Sequence, residues 1–217
     1  MMFLDEKIAK LQKKAHVAKK YKGAEKTMKE EESEKIKLEG LDELTQEEVT
    51  EAIKSGSLKQ NEKKLDFENK TFFEEKITIP IFKDFFDEYA ENESAYCWSK
   101  KYEFSVLLYK SEFKDEISNA NELLEKFKTF FKENDAYIEF LSLNEEKNDD
   151  YSKYIINSRM PTAIDYIYQY MVCIKYKDEI ISLIFTCLEK EKNQWEKIMV
   201  GISELMEINI GAVEDNE

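Results

Sequence analysis

Histidine, arginine, glycine and proline are nearly missing from this sequence, and each shortage removes a class of chemistry. His16 is the only histidine, which excludes histidine-ligated metal sites and argues against a Ser-His-Asp triad. Arg159 is the only arginine, so bidentate guanidinium clamps for phosphate or carboxylate are almost unavailable. Only five glycines occur, and neither GxGxxG nor GxxxxGK[ST] is present. The three cysteines, Cys97, Cys173 and Cys187, form no CxxC pair and leave an odd one over. All three sit in apolar or aromatic stretches, where a free thiol acts as a small buried hydrophobe, and a reducing compartment is the simplest setting. Met1–Tyr21 is studded with lysine and is no signal peptide, and no apolar run reaches the length of a membrane span. These absences describe a cytoplasmic protein.

What the sequence has in excess is charge. Charged residues make up 37% of it, with 33 basic against 47 acidic side chains and a formal net charge of −14. That balance repels nucleic acid phosphates and anionic membranes, favours basic protein partners, and keeps the chain soluble in any case. The charge is unevenly spread: residues 1–40 carry 11 lysines against 8 acids, the remainder 22 basic against 39 acidic groups.

Leu4, Ile8, Leu11, Ala15 and Ala18 recur at helical spacing and predict a helix from about Phe3 to Tyr21. Its apolar stripe is too narrow to stand alone, so it packs in cis or mediates self-association. Gly23 to Gly40 is nearly all charge, a solvated helix or a linker. In "LTQEEVTEAIKSG", Thr45 and Glu48 form a capping box and Gly56 is the stop of a short helix. Ser55 to Lys64 reads as a polar linker, so residues 1–64 are expected to be a dispensable helical extension and 65–217 the main domain.

Beyond Leu65 the period changes to two. Ile77, Ile79 and Ile81 mark one strand, with Pro80 near a strand end or sheet edge, and Tyr102, Phe104, Val106 and Leu108 mark another. A helix with Asn119 and Glu122 as cap residues carries Leu123, Phe127, Phe130 and Phe131 on its apolar face. Ala136 to Leu143 is the next strand, and Asn144 to Ser152 a loop. Ile164 to Lys175 is apolar on both faces, as a central covered strand would be. "KYKDEI" turns it into Ile180–Leu188. If the turn lies at Lys177 and Asp178, Cys173 falls opposite Ser182 and Cys187 opposite Tyr168, on different faces. A last helix carries Trp195, Ile198, Met199, Ile202 and Leu205, and Ile208 and Ile210 close with a short edge strand. The reading is α+β: a mainly antiparallel sheet covered by helices.

Two segments strengthen it. "FFEEKITIPIFKDFF" resembles the first strand and aromatic turn of PsbP-like proteins, including the bacterial DcrB-like branch. "YQYMVCIKYKDEIISLIFTCLEKEKNQWEKIMVGISELMEI" resembles their long hairpin, final helix and closing strand. The resemblance spans about Leu65 to Ile210 and implies an α/β/α sandwich with no shared catalytic site, whose members mostly act in binding and assembly.

Candidate sites are few. Glu145, Glu146, Asp149 and Asp150 are an acidic surface that a basic partner could meet; their spacing lacks the regularity of a calcium loop. Tyr166, Tyr168 and Tyr170 share one strand face, either as an interface row or as packing beneath a helix whose hydroxyls reach the rim. No catalytic residue, metal or cofactor is indicated. The leading reading is a non-enzymatic module for a basic protein partner, as in toxin-immunity proteins or secretion chaperones. The rival is a small-ligand binder or carboxylate-based enzyme with a tyrosine-lined pocket between sheet and helices.

Overall fold

A computed structural model describes residues 41–210 except 61, 62, 102, 115 and 164. The helix expected over residues 3–21, the linker after it, His16 and any self-association through that helix lie outside the described residues. The capping box forms as its residues require: Glu48 N–H donates to Thr45 Oγ1 and Thr45 N–H to Glu48 Oε2, starting helix α1 at Gln46–Lys54. Gly56 follows at φ +86°, a left-handed stop that a side chain would strain.

The chain then enters a four-stranded antiparallel sheet ordered β1-β2-β3-β11, with β1 Ser57–Gln60, β2 Lys63–Phe72, β3 Ile77–Lys83 and β11 Glu207–Ile208. Ser55–Lys64 is therefore no linker but the heart of a hairpin in which Leu58 faces Leu65, both buried. The expected division after residue 64 cuts through this hairpin; residues 41–210 fall in one compact unit. Polar composition misled here because only one residue of β1 in two turns inward. Pro80 lies where β3 has an open side, since β11 covers only Ile77 and Thr78.

A second, seven-stranded sheet is also antiparallel throughout, in the order β4-β5-β6-β10-β9-β8-β7. Its members are β4 Glu88–Asn92, β5 Ala95–Lys100, β6 Phe104–Glu112, β7 Glu139–Lys147, β8 Ser152–Pro161, β9 Tyr166–Tyr176 and β10 Glu179–Leu188. The β9–β10 hairpin has the register its turn dictates, with Cys173 opposite Ser182 and Cys187 opposite Tyr168. Lys177 takes a positive φ of 45°, as a tight two-residue turn demands. Three strands of this sheet escaped the sequence reading, β4, β5 and β8, as did β1 and β2 of the first sheet. The Asn144–Ser152 loop is shorter than expected, because Glu145, Glu146 and Lys147 continue β7.

Helix α2, Ala120–Glu133, begins at Asn119, whose side chain accepts from Glu122 N–H. Its Leu123 joins Tyr154, Ile156, Met171, Cys173 and Ile180 in one buried cluster. Helix α3, Lys192–Glu204, packs on β9, β10, β3 and α1. Its fully buried Trp195 lies 4.5 Å from the Phe104 ring and 5.7 Å from that of Phe85. At Gly201 the helix comes close to α1: a Cβ there would lie 2.8 Å from Ile53 Cδ1 and 3.5 Å from Thr50 Cα.

An ion pair ties the two sheets. Lys76, between β2 and β3, reaches Glu179 of β10 at 2.6 Å, and Lys110 stands 3.8 Å from the other carboxylate oxygen. The Lys76 hydrogen bond is the main cause holding the Glu179 carboxyl below its ordinary value. A depressed folded pKa stabilises above the unfolded value and is lost as pH falls through the folded one. Glu179→Gln should thus cost on the order of 1 kcal/mol at pH 7, in a partly buried pair. The two proteins' melting points should converge as the buffer is acidified below the carboxylate range.

Candidate functional site

The tyrosine row splits between two environments. Tyr168 is 0% and Tyr170 5% exposed beneath α3, their hydroxyls donating to Glu196 at 2.7 Å and Ser203 at 3.3 Å. Burial first, then the neighbouring Glu196 carboxylate, pushes the Tyr168 phenol far up, so it stays a neutral donor. Lys192 Nζ caps the same ring at 4.7 Å and pairs with Glu196 at 3.3 Å. These two tyrosines follow the packing alternative. Tyr166 alone is open to solvent at 37%, with the Arg159 guanidinium 4.7 Å above its ring. Arg159 also donates to Glu139 at 2.8 Å and Glu189 at 3.0 Å, so the chain's one guanidinium is committed to carboxylates of its own protein.

The four acidic residues divide too. Glu145 accepts from Ala120 N–H at the start of α2 and pairs with Lys147 at 2.7 Å, the latter being the main cause of its lowered pKa. Glu146 pairs with Lys153 at 3.2 Å. Asp149 and Asp150 stand exposed at the β7–β8 turn, which Asn148 holds by accepting from Asp150 N–H and Tyr151 N–H. Only these two aspartates present charge that β7 and β8 have not already countered.

The last turn of α2, the loop after it and β7 itself carry apolar side chains that sequence reasoning placed inward or did not single out. Phe130 is 59%, Tyr137 66% and Leu141 42% exposed. Phe130 meets Phe131 at 5.7 Å, and Phe131 meets Phe140 at 6.5 Å, so an aromatic chain runs from solvent into the cluster beneath α2. A bulge between Phe140 and Ser142 throws Leu141 out of the alternation. Two adjacent apolar residues in an alternating strand, Phe140-Leu141, were the available signal. Phe130 was misassigned because α2 is anchored at its first turn, by Ala120 and Leu123, while its last turn runs past the covered part of the sheet.

Other chemistry finds little footing. Burial pushes the Cys173 thiol up to about 11 and Cys187 higher still, away from thiolate character. Among the described residues no group of three or more His, Cys, Asp or Glu could hold a metal ion, and no helix is long and apolar enough to cross a membrane. An open cleft of about 340 Å³ lies between the β9–β10 turn and the approach to α2. It is lined by Lys114, Ile117, Ser118, Lys175 and Asp178 rather than by tyrosines.

No family model and no curated protein matches the sequence. The structure is similar to the solution structure of cyanobacterial PsbP (CyanoP) from Synechocystis sp. PCC 6803, with a TM-score of 0.54 and 8% identity, over 65% of this chain and 92% of that one. It also matches a Pseudomonas aeruginosa protein of unknown function, PA94, described as a putative regulator. There the TM-score is 0.40 and the identity 6%, over 64% of this chain and 94% of that one. The fold of this chain is PsbP-like, an antiparallel sheet covered by helices.

Proposed function

We propose that this chain is a non-enzymatic module that binds a basic protein partner, in the manner of an immunity protein or a secretion chaperone. The observation that carries the reading is the margin around β7, where Phe130 in the last turn of α2, Tyr137 in the loop before the strand and Leu141 on the strand are exposed, with Asp149 and Asp150 in the turn that follows it. Aromatic and aliphatic anchors beside a charged margin are the anatomy of a protein interface. The net charge of −14 supplies long-range attraction for a basic surface.

The test is affinity purification from the native host at low salt. A specific basic protein should be recovered, and its association should slow steeply as the screening length falls from roughly 30 Å at 0.01 M to about 10 Å at 0.1 M. Asp149→Lys with Asp150→Lys should slow capture. Tyr137→Ala with Leu141→Ser should speed dissociation by roughly 10-fold or more while leaving the melting point in place, since both side chains are exposed. Recovery of no protein, together with a metabolite bound to the purified chain, would overturn the reading in favour of a ligand-binding role.

A further inference from the structure

The opposite edge of the seven-stranded sheet is built differently. Among the described residues β4 is the outermost strand, all five of its residues are exposed, and it pairs with β5 on one side only, without a register shift. Natural edge strands are commonly blunted by lysine, proline, a bulge or extreme shortness. β7 has a bulge and a lysine, β1 carries Lys59, and β11 is two residues long. β4, with the sequence EYAEN, has no lysine, proline or bulge, and the charges it carries are the two carboxylates of Glu88 and Glu91.

Its charge is also uncompensated. Glu88 accepts a hydrogen bond from the Ser99 hydroxyl at 3.1 Å and Glu91 one from the Tyr89 hydroxyl, partners that neutralise neither carboxylate. Asp87 before the strand meets Lys100 at 3.3 Å, and exposed Glu93 follows in the two-residue turn. On β7 and β8, by contrast, Glu139, Glu145 and Glu146 each have a basic partner. Tyr89 is 53% exposed and rests its ring 5.5 Å from that of Trp98, which fixes it as a platform for a cation.

We propose that the free edge of β4 accepts a lysine-rich extended segment of a partner protein by strand addition. This deepens the binding-module reading on which it rests, using residues distinct from the β7 patch. Backbone N–H and C=O groups along the edge supply the ladder, and alternate side chains supply selectivity. Tyr89 and Glu91 flank the incoming strand on one face and Glu88 and Asn92 on the other, with Ala90 leaving room between them. A second copy of β4 is disfavoured, because it would bring further carboxylates to a strand that has no cation of its own.

The test uses the full chain and a fluorescent eight-residue peptide alternating lysine and threonine, with a glutamate-for-lysine counterpart. Anisotropy should show the basic peptide binding at least ~10-fold more tightly than the acidic one, with affinity falling as salt rises. Amide exchange should slow across residues 88–92 and remain unchanged across 139–147. Glu88→Lys with Glu91→Lys should weaken binding by ~10-fold or more, and the corresponding Gln pair should weaken it in the same direction should the reversed protein melt early. Tyr137→Ala with Leu141→Ser should leave peptide affinity unaltered. Absence of binding, protection on β7 instead of β4, indifference to both Glu88/Glu91 variants, or a concentration-dependent dimer that protects β4 would each overturn the proposal. A host partner whose release depends on Tyr137 and Leu141 but not on β4 would sink this inference and leave the binding-module reading standing.

Discussion

A chain beginning at Lys63 should lose its cooperative unfolding transition, whereas one beginning at Leu38 should keep it. The shorter chain lacks Leu41, Val49, Ile53 and Leu58, which are all at most 3% exposed. At about 1.5–3 kcal/mol for each fully buried aliphatic side chain, their loss removes on the order of 6–12 kcal/mol of burial. That is comparable with the whole stability of an ordinary domain, about 5–15 kcal/mol. It also uncovers the α3 surface on which α1 packs and strips β2 of one of its two partner strands. Lys197 would lose the carbonyls of Leu41 and Leu44, to which its ammonium donates at 3.2 and 2.6 Å. Urea titrations followed by circular dichroism decide the matter. A sharp transition in the Lys63 chain with an undiminished midpoint would show that α1 and β1 are ornament.

Trp195→Ala should be the most damaging single substitution, at about 3–5 kcal/mol. The indole is 0% exposed, and its ring lies within 6.3 Å of Phe82, Phe85 and Phe104. Those three rings come from three places, β3, the turn after it, and β6, so the indole is the piece that α3 inserts between the two sheets. Its Nε1 finds no acceptor among the described residues. Trp195→Phe removes that unpaired donor together with part of the ring, so its loss should be clearly smaller. Equilibrium unfolding of the two variants gives the comparison; equal losses would mean that ring volume is not what matters at this position.

Much of the interior was legible in the sequence because burial leaves a period. The alternation of Ile77, Ile79 and Ile81 and the helical spacing of Trp195, Ile198, Met199 and Ile202 each point to one covered face, and all seven are buried. The β9–β10 register followed from a turn and a parity argument alone. The edges were illegible for the complementary reason. β4 buries nothing and so carries no apolar period, and β7 pairs on one side with a bulge that breaks its alternation. The tyrosine row shows a third limit. β9 is apolar on both faces, so its sequence cannot say which face a helix will cover; only the seat of α3 separates buried Tyr168 and Tyr170 from open Tyr166. Likewise, which carboxylates stay uncompensated depends on cross-strand neighbours such as Lys153, seven residues from Glu146 in the chain but beside it in the sheet.

The contact between Gly201 and Ile53 has an evolutionary reading. With only 2.8 Å between a would-be Cβ at 201 and Ile53 Cδ1, these two positions share one fixed volume. A descendant that acquires a larger residue at 201 can absorb it most readily by shortening the side chain at 53, and the reverse order of changes holds as well. Among the described residues, the first helix and the last are thus linked by a size exchange across 148 positions of sequence. Either end can drift freely in its charged residues, but at this crossing a gain in size on one side asks the other to give way.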